Sequence, residues 1–410
     1  MANMFQFVDW VGMECLRLLQ NKSQVAQFFN TDYNKEFKRE FAVGETVRVK
    51  FPQRFTITNG LQYNPQSINR KYTTVTMNQI FGVHFQWDDV EAALKMERSK
   101  EEIRKNYIDP IMAQMASELD SRATLFATQN TNNIAGVLGT TPTAMSTYQR
   151  ARTLMNENSC PPGGERGMIV SPQMQETIIA NTNTIFNPAS EISKQYREGS
   201  VGKAGGFDWY ESVQLYSQTA GTWASSVTVS GANQSGSSIS ISDTNGDTFN
   251  VGDVFSIANV NNVNPLTRRS VNRLKTFTVT QALTGTGGPD TLNFYPPIIG
   301  PGDQYQNVDS LPVNGAALTL FPGTTSPNGK SGINGLALYR DAFALVGTKL
   351  EEPKAVEFSS QVRDPETGLA IRVVRAWDPV HSIMTNRIET LIGFGVLYAD
   401  NCAVRVLSQN

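Results

Sequence analysis

Two stretches of the chain place polar residues at a spacing close to that of a known binding loop. The run Asp243-Thr-Asn-Gly-Asp247 resembles the start of a calcium loop, and Gly329-Lys-Ser331 resembles the end of a phosphate-binding loop. A calcium loop needs a bidentate carboxylate at its last position, but Val254 stands there. A phosphate-binding loop needs an earlier glycine, and Thr324 occupies that position. Both runs are therefore predicted to be polar turns.

Acid–base and nucleophilic chemistry would have to use a small set of histidines and cysteines. The sequence holds two histidines, His84 and His381, and neither adjoins a nucleophile elbow. Its three cysteines, Cys15, Cys160 and Cys402, have neither the spacing of a zinc site nor the even number of a disulfide framework. They are expected to be buried thiols in a reducing compartment. The sequence predicts no catalytic residue, no metal ligand set and no cofactor.

Composition and charge restrict the class of protein. The chain has 410 residues, with 35 Lys and Arg against 37 Asp and Glu, and 18% of its residues are charged. Soluble domains have about 25% charged residues, so this fraction is typical of a surface that partners cover. The near-zero balance argues against a dedicated nucleic-acid binder, which would carry a basic face or tail. Charges interrupt every apolar run before the ~18–20 residues that cross a bilayer, so no membrane partner is expected.

The elements that would position functional side chains begin with an arm. Apolar spacing predicts a helix over 5–29. Alternating residues predict strands over 43–55 and 72–86, which pair as a long hairpin around a polar loop, 58–71. A two-stranded arm is marginally stable in water by itself. We therefore expect it to lie on a neighbouring subunit.

Helices and then a second strand-rich region follow the arm. Cap signals and apolar spacing predict helices over 110–128, 146–157, 172–181 and 189–198. The number of charged residues then falls from 27 in residues 31–130 to nine in residues 221–305. Short alternating runs between turn signals predict a small β-barrel inserted in that region. Apolar and alternating runs resume after it over 336–346, 369–376, 391–398 and 403–407.

Several motifs, taken in order, resemble those of one family. The stretch 196–212 (YREGSVGKAGGFDWYES) is similar to a glycine-rich motif of tailed-bacteriophage major capsid proteins with the Hong Kong-type fold. Residues 115–120 (MASELD) resemble the end of that family's spine helix, and 336–343 and 387–395 resemble its closing strands. Residues 251–257 (VGDVFSI) resemble a strand of the barrel inserted in coat proteins of short-tailed Salmonella phages. The resemblance covers most of the chain.

The resemblance implies an α+β fold of the Hong Kong capsid type. Such a fold has an N-terminal arm, an extended hairpin loop, a spine helix, and peripheral and axial domains, here with an inserted all-β barrel. The expected segments are an arm (1–42), an extended hairpin (43–86), the spine helix with the first part of the core (87–217), the barrel with its connecting loop (218–335) and the rest of the core (336–410).

The function implied is that of a major capsid protein. It would self-assemble, as hexameric and pentameric capsomers, into the icosahedral shell that encloses the double-stranded DNA of a tailed phage. Scaffolding and portal proteins are the expected partners, DNA contact is expected to be weak and non-specific, and the protein would be made in the host cytoplasm and reside in the virion. An encapsulin-like bacterial nanocompartment shell remains an alternative. A hydrolase or a carbohydrate-binding protein built on the barrel is a second alternative, from another class.

Contacts between subunits are expected at polar residues of the hairpin and of the barrel loops. We expect the barrel segment Asp243–Asp253 and the Arg268-Arg269 loop to be exposed and to make electrostatic contacts. The full set of expected contact residues is Arg54, Asn59, Arg70, Lys71, Asp243, Asp247, Arg268 and Arg269.

Overall fold

The structure, a computed structural model, describes residues 12–19, 22–35, 46–55, 57, 60, 65–66, 68, 71–88, 104–163, 165–182, 201–223, 226–321, 328–353, 356, 358–364, 368–378 and 383–409. Residues 12–19 are helical, and the longer helices are α1 (Asp109–Gln129), α2 (Met145–Glu157), α3 (Pro172–Thr182) and the short α4 (Ala399–Cys402). A π-helical turn precedes α1 at Arg104–Ile108, and 3-10 turns lie at Ala26–Phe28, Asp32–Lys35 and Arg340–Ala342.

Strands make up most of the remaining regular structure. In chain order they are β1 (Thr46–Lys50), β2 (Tyr72–Asp88), β3 (Ile134–Gly136), β4 (Arg166–Val170), β5 (Lys203–Ala204), β6 (Phe207–Glu211), β7 (Ser217–Thr219), β8 (Thr228–Val229), β9 (Gly236–Ser242), β10 (Thr248–Phe249), β11 (Val254–Val263), β12 (Ser270–Val279), β13 (Leu283–Thr284), β14 (Pro289–Ile298), β15 (Leu318–Leu320), β16 (Ser331–Tyr339), β17 (Phe343–Thr348), β18 (Phe358–Arg363), β19 (Ala370–Asp378), β20 (Ile383–Val396) and β21 (Ala403–Leu407). No helix among the described residues has the length and apolar character needed to span a membrane.

The chain divides into two compact units. The first unit combines Met1–Lys50, Tyr72–Ala123 and Phe343–Leu397, and the second combines Phe51–Lys71, Thr124–Ala342 and Tyr398–Asn410. Each unit is thus assembled from three separated pieces of sequence, so its core depends on contacts between residues far apart in the chain.

A six-stranded antiparallel sheet organises the first unit. Its strand order is β1-β2-β20-β19-β18, and β17 also pairs with β20. The register of β2 on β20 runs from Thr76↔Phe394 to Asp88↔Ile383. A strand of the same chain therefore supports β2 along most of its length. This part of the arm is therefore paired with its own chain, whereas the sequence led to the expectation that the arm lies on a neighbouring subunit.

The base of the hairpin is shorter than the sequence predicts. The strands pair antiparallel from Thr46↔Thr76 to Lys50↔Tyr72, whereas alternation predicts a first strand over 43–55. Residues 51–55 are not in a strand. The ring of Phe51 lies 5.2 Å from the ring of Tyr398, and both residues belong to the second unit.

Helix α1 agrees with its sequence prediction to within one residue at each end. Asp109 stands in its first turn, where a carboxylate interacts favourably with the helix dipole. Its buried side chains recur at helical spacing and include Met112, Met115, Leu119 and Ala123. Helices α2 and α3 also match the predicted 146–157 and 172–181, because caps and apolar spacing are local signals. The predicted helix over 189–198 lies outside the described residues.

A seven-stranded sheet and a barrel form the second unit. The sheet has the order β3-β21-β16-β4-β6-β5, with β7 also pairing with β16. The β7/β16 pair, from Ser331↔Thr219 to Ile333↔Ser217, holds the two ends of the inserted segment side by side. The chain enters and leaves the insertion through this pair of strands.

The inserted strands form the barrel that composition predicts. Their order is β15-β11-β12-β14-β9-β8. The amide of Val229 donates to the carbonyl of Ala316, at 2.9 Å, and the amide of Leu318 donates to the carbonyl of Val227, at 3.0 Å, so the two edges of the sheet meet. Inside, Phe277 packs against Phe255 and Phe294 with ring centroids 5.7 and 5.2 Å apart. Aromatic packing of this kind gives the insertion a core of its own.

One apolar stretch divides between the two sheets. The sequence over 336–346 suggests a single run, but the 3-10 turn Arg340–Ala342 separates β16 from β17. β16 pairs within the seven-stranded sheet and β17 within the six-stranded sheet. Apolar content alone cannot show this division, because both strands are buried almost throughout and read alike.

Candidate functional site

The segment that follows β1 packs on its own chain. The guanidinium of Arg54 lies 5.6 Å, and the ammonium of Lys71 lies 5.1 Å, from the centre of the Tyr305 ring. The amide of Phe51 donates to the carbonyl of Lys71, at 2.9 Å, which closes the base of the segment. Burial lowers the pKa of Lys71, although Asp400 opposes this. Two of the expected subunit contacts, Arg54 and Lys71, are therefore already held within one chain.

Apolar side chains in the same segment are not covered. Phe55 is 62% exposed, Ile57 is 94% exposed and Ile68 is 68% exposed. Large apolar side chains exposed together are typical of a surface that contacts another molecule. The other two expected hairpin contacts, Asn59 and Arg70, lie outside the described residues.

The acidic barrel segment is more enclosed than the sequence predicts. Asp247 is 8% exposed and accepts a hydrogen bond from the amide of Thr244, at 3.0 Å. Asp243 accepts one from the amide of Gly287, at 3.1 Å, and burial raises its pKa. The expectation that the segment Asp243–Asp253 is exposed is wrong for Asp247 and for Asp253, which is also buried. These carboxylates accept hydrogen bonds from backbone amides of the turns. Charge and spacing in the sequence do not reveal this role.

The two arginines of the other barrel loop differ in their surroundings. Arg268 has a positive φ of 55° and donates from its Nη2 atom to the carbonyl of Gln304, at 2.9 Å. Arg269 is exposed, as expected. The carboxamide oxygen of Asn264 accepts from the amides of Leu266 and Thr267, both at 3.0 Å, and fixes the loop. Arg269 is therefore presented from a rigid turn.

A buried arginine joins the barrel to the seven-stranded sheet within the second unit. Arg405, in β21, is 1% exposed. Its Nη1 atom donates to the carboxamide oxygen of Gln218, at 2.7 Å, and its Nη2 atom donates to the carbonyl of Gly252, at 2.9 Å. Gln218 in turn donates to Asp253, at 3.2 Å. Strand β7 at the start of the insertion, the barrel segment that holds Gly252 and Asp253, and the C-terminal strand β21 thus meet at one polar cluster.

Burial sets the protonation behaviour of this cluster. Burial raises the pKa of Asp253 to about 6, although hydrogen bonds from the amides of Asn250 and Gly221 and the nearby Arg405 favour its charged form. Burial also lowers the pKa of Arg405 to about 9, against the attraction of Asp253. Both groups are charged at neutral pH, and burying each charge costs hydration free energy.

A second polar cluster lies beside the first in the same unit. The Lys275 ammonium pairs with the Asp400 carboxylate at 2.5 Å. The side chain of Asn132 donates to Asp400, at 2.9 Å, and to the carbonyl of Thr276, also at 2.9 Å. Because Lys275 and Thr276 belong to barrel strand β12, these bonds tie the barrel to the segments that precede β3 and β21.

A buried carboxylate of α1 anchors the N-terminal segment in the first unit. Asp120 is buried and accepts hydrogen bonds from the hydroxyl of Ser23 and from the amides of Gln24, Val25 and Ala26, at 2.7–3.1 Å. These bonds divert backbone amides from a continuing helix. The helix predicted over 5–29 therefore gives way to a 3-10 turn at Ala26–Phe28, and its end is wrong.

Charged residues of the 387–395 motif converge on the six-stranded sheet. Glu389 is buried and pairs with Arg372 at 2.5 Å and with Arg387 on the same strand. The His84 imidazole lies 3.6 Å from the same carboxylate. This histidine therefore faces an ion-pair cluster, while His381 lies outside the described residues.

The sequence did not single out the residues of the barrel junction. Arg405 sits in an alternating strand, where a charged residue usually marks the solvent face, yet all five residues of that strand are buried. Asp120 is the last residue of the 115–120 motif, which resembles the end of a spine helix. The spacing of residues in that motif does not indicate the hydrogen bonds that Asp120 accepts. Among the described residues, no group of three His, Cys, Asp or Glu side chains could hold a metal ion.

Comparison with known proteins gives a family match over most of the chain. The profile of the P22 coat protein family, gene protein 5, matches residues 43–403. The chain belongs to the P22 coat protein family. The barrel and the six-stranded sheet lie within the matched residues, as does the seven-stranded sheet apart from β21, so the match includes the insertion. A comparison with curated protein sequences gives no match.

Solved phage structures are also similar to this P22 coat family member. A structure of Mycobacterium phage Che8 has 11% identity and a TM-score of 0.48, over 94% of this chain and 90% of that one. The capsid structure of cyanophage P-SCSP1u has 14% identity and a TM-score of 0.43, over 91% and 85%. The CUS-3 coat protein I-domain has 28% identity and a TM-score of 0.20, over 24% of this chain and 96% of that domain.

Family membership decides between the functions that the sequence left open. P22 coat proteins are structural capsid proteins, so this chain is a tailed-phage major capsid protein of the virion and assembles into a shell of many subunits. The α+β capsid fold with an inserted β-barrel is confirmed. The nanocompartment alternative gains no support from the match.

Proposed function

We propose that this capsid protein forms hexameric and pentameric capsomers of an icosahedral shell around double-stranded DNA. It performs no catalysis, is made in the host cytoplasm, and has scaffolding and portal proteins as partners. The near-neutral charge supports a weak, non-specific contact with DNA, because a basic wall would hold the packaged polyanion tightly. We propose further that the segments 1–42, 43–86, 87–217, 218–335 and 336–410 act as arm, extended hairpin, spine with core, barrel and closing core.

The exposed apolar side chains after β1 carry this proposal. Phe55, Ile57 and Ile68 stand in a segment whose base is fixed on its own chain, while these side chains meet water. Covering an apolar side chain contributes ~25 cal/mol per Å² of buried surface. We infer that a neighbouring subunit covers them, and that repetition over a shell multiplies a modest contact.

A groove of the first unit suits such a contact. It lies between α1 and β2, has a volume of about 320 Å³, and its lining includes Phe81, Val83 and Met115. The guanidinium of Arg122 lies 4.9 Å over the Phe81 ring and 2.6 Å from Glu118. We infer that the segment bearing Ile57 from a second copy enters this groove.

The polar residues expected between subunits divide into groups. Arg269, Asn59, Arg70 and Asp243 stay as proposed contacts. The remaining three basic residues, Arg54, Lys71 and Arg268, have partners in their own chain and would have to exchange them. Asp247, which is buried in its turn, is not proposed as a contact.

The variant Ile57→Asp tests the proposed function. We expect a folded subunit with unchanged circular dichroism that fails to form closed shells, because a carboxylate replaces an apolar side chain that must be buried. The matched control Ile57→Leu keeps the apolar character and is expected to assemble. Electron microscopy and sedimentation measure the yield of shells. Normal yields of closed particles from Ile57→Asp would contradict the proposal.

A further inference from the structure

Two of the three cysteines lie in segments that are tied together in the second unit. Cys160 and Cys402 are buried, each 4% exposed. The side chain of Asn158 donates to the carbonyl of Asp400, at 3.2 Å. The side chain of Asn133 donates to the carbonyls of Asp400 and Ala403, at 2.7 and 3.2 Å. Asn158, two residues before Cys160, is therefore bonded to Asp400, two residues before Cys402, and also to Asn133, which bonds to residues on both sides of Cys402.

The two thiols are close enough to affect each other's ionisation. The Cys402 side chain, with help from nearby Arg166, lowers the pKa of Cys160. The same interaction, together with burial, raises the pKa of Cys402. Arg166 also fixes the loop, because its Nη2 atom donates to the carbonyl of Cys160 at 2.8 Å. The pair therefore has the two parts that thiol oxidation needs, a thiol whose ionisation is favoured and a second thiol beside it.

We propose that Cys160 and Cys402 are an intramolecular redox pair, which stays as two thiols in a reducing compartment and becomes a disulfide when the protein meets a peroxide. The Cys160 thiolate attacks one oxygen of hydrogen peroxide and becomes a sulfenic acid, with loss of hydroxide. The Cys402 sulfur then attacks the sulfenic sulfur, an S–S bond forms, and water leaves. Two thiols are oxidised and one peroxide is reduced to two waters.

The position of the pair in the chain gives the bond its consequence. It would join the loop after α2 to the end of α4, and so close a covalent loop that contains the whole barrel and the strands β16 to β20. A cross-link that closes a long loop restricts the unfolded chain more than one that closes a short loop. The oxidised subunit is therefore expected to resist unfolding more than the reduced one.

The third cysteine provides an internal control. Cys15 belongs to the other compact unit, and burial raises the pKa of its thiol to about 12. Its burial resembles that of the pair, but its pKa disfavours the thiolate. If burial alone set their reactivity, all three thiols would react with peroxide alike. If Cys160 and Cys402 form a redox pair, only those two are oxidised.

The experiment treats the purified full-length protein with hydrogen peroxide and then unfolds it. Reactive thiols per chain are expected to fall from three to one. Mass spectrometry is expected to find the peptides of Cys160 and Cys402 joined, with the loss of two hydrogens, and a dithiol reductant is expected to restore all thiols. The variant Cys15→Ser should form the same bond. In Cys402→Ser, a dimedone probe should trap the sulfenic acid of Cys160.

Three results would overturn the proposal. One is that all thiols survive the peroxide, and another is that each thiol oxidises separately to sulfinic acid without a cross-link. The third is that the linked peptides include Cys15. The unmodified chain reports each of these by itself, so the test stands even if a serine variant fails to fold. The bond is independent of hexamers, DNA or the groove contact, since it forms within one subunit.

Discussion

Replacing Asp253 with Asn removes a buried carboxyl group that titrates in an unusual range. Burial raises its pKa from 3.8 to about 6. The folded chain therefore binds more protons than the unfolded chain between about pH 4 and pH 6. The free energy of unfolding contributed by this group is fully present below pH ~4 and is lost as the pH rises through ~6. An asparagine cannot ionise, so the free energy of unfolding of the variant does not fall for this reason as the pH rises.

The size of the effect follows from the shift. A rise of about two pKa units corresponds to about 3 kcal/mol of differential stability. Asparagine can keep the geometry, because its oxygen can accept from the amides of Gly221 and Asn250 as the carboxylate does now, at 2.9 and 2.8 Å. We therefore expect the stability of Asp253→Asn, relative to the native protein, to increase by about 3 kcal/mol from pH ~4 to pH ~7.

Urea unfolding of the purified subunit, followed by circular dichroism at several pH values, measures this difference. Other titrating groups cancel, because both proteins contain them. Asp309→Asn serves as a control of opposite sign. Burial acts to raise the pKa of Asp309, but hydrogen bonds from Asn261 and Ser270 outweigh it and lower the pKa. Removing that carboxyl group should cost more stability as the pH rises.

A difference between Asp253→Asn and the native protein that stays constant over this range would refute the reasoning. It would mean that the carboxyl group of Asp253 is hydrated, or that the charge of Arg405 fully offsets its burial. A difference of the opposite slope would mean that attraction outweighs burial, and that the cluster behaves as an ordinary stabilising ion pair.

Two further changes test the other buried polar contacts. Asp120→Ala should destabilise the subunit by about 3–5 kcal/mol, because it leaves the amides of Gln24, Val25 and Ala26 without their acceptor. Urea unfolding measures this loss of stability. A loss below about 1 kcal/mol would contradict the anchoring role of Asp120. Lys275→Met should destabilise the subunit by about 2–4 kcal/mol, because it leaves the Asp400 carboxylate without its cation. The resistance of the barrel to proteolysis should fall as well. Unchanged resistance would contradict the role of this ion pair in tying the barrel to the segment before β21.

Some features of the fold were available from the sequence because their signals are local. Helix α1 follows from apolar spacing and the Asp109-Pro110 start, and its observed bounds differ from the prediction by one residue at each end. The barrel follows from low charge and short alternating runs, and β9 (Gly236–Ser242) coincides to within one residue with the alternating run at 237–242. Strands of two or three residues, such as β10 and β15, were missed because so short a run has no period.

The candidate sites depended on partners that lie far away in sequence. The charge of Asp247 leads to the expectation that it faces solvent, and the sequence contains no signal that Arg405 is buried. Arg405 is buried because β3 and β16 flank its strand and the barrel segment around Gly252 lies over it. Phe51 directly follows the first hairpin strand, and its ring packs against that of Tyr398, which lies far away in the sequence.

The sequence by itself determined the family, the inserted barrel and the longer helices, since caps, periodicity and motif order are properties of neighbouring residues. Tertiary structure alone decided which polar residues are buried and which cysteines meet. The reason is physical. Burial and pKa depend on what the fold places over a side chain, and for Asp253 and Cys160 those groups come from distant parts of the chain.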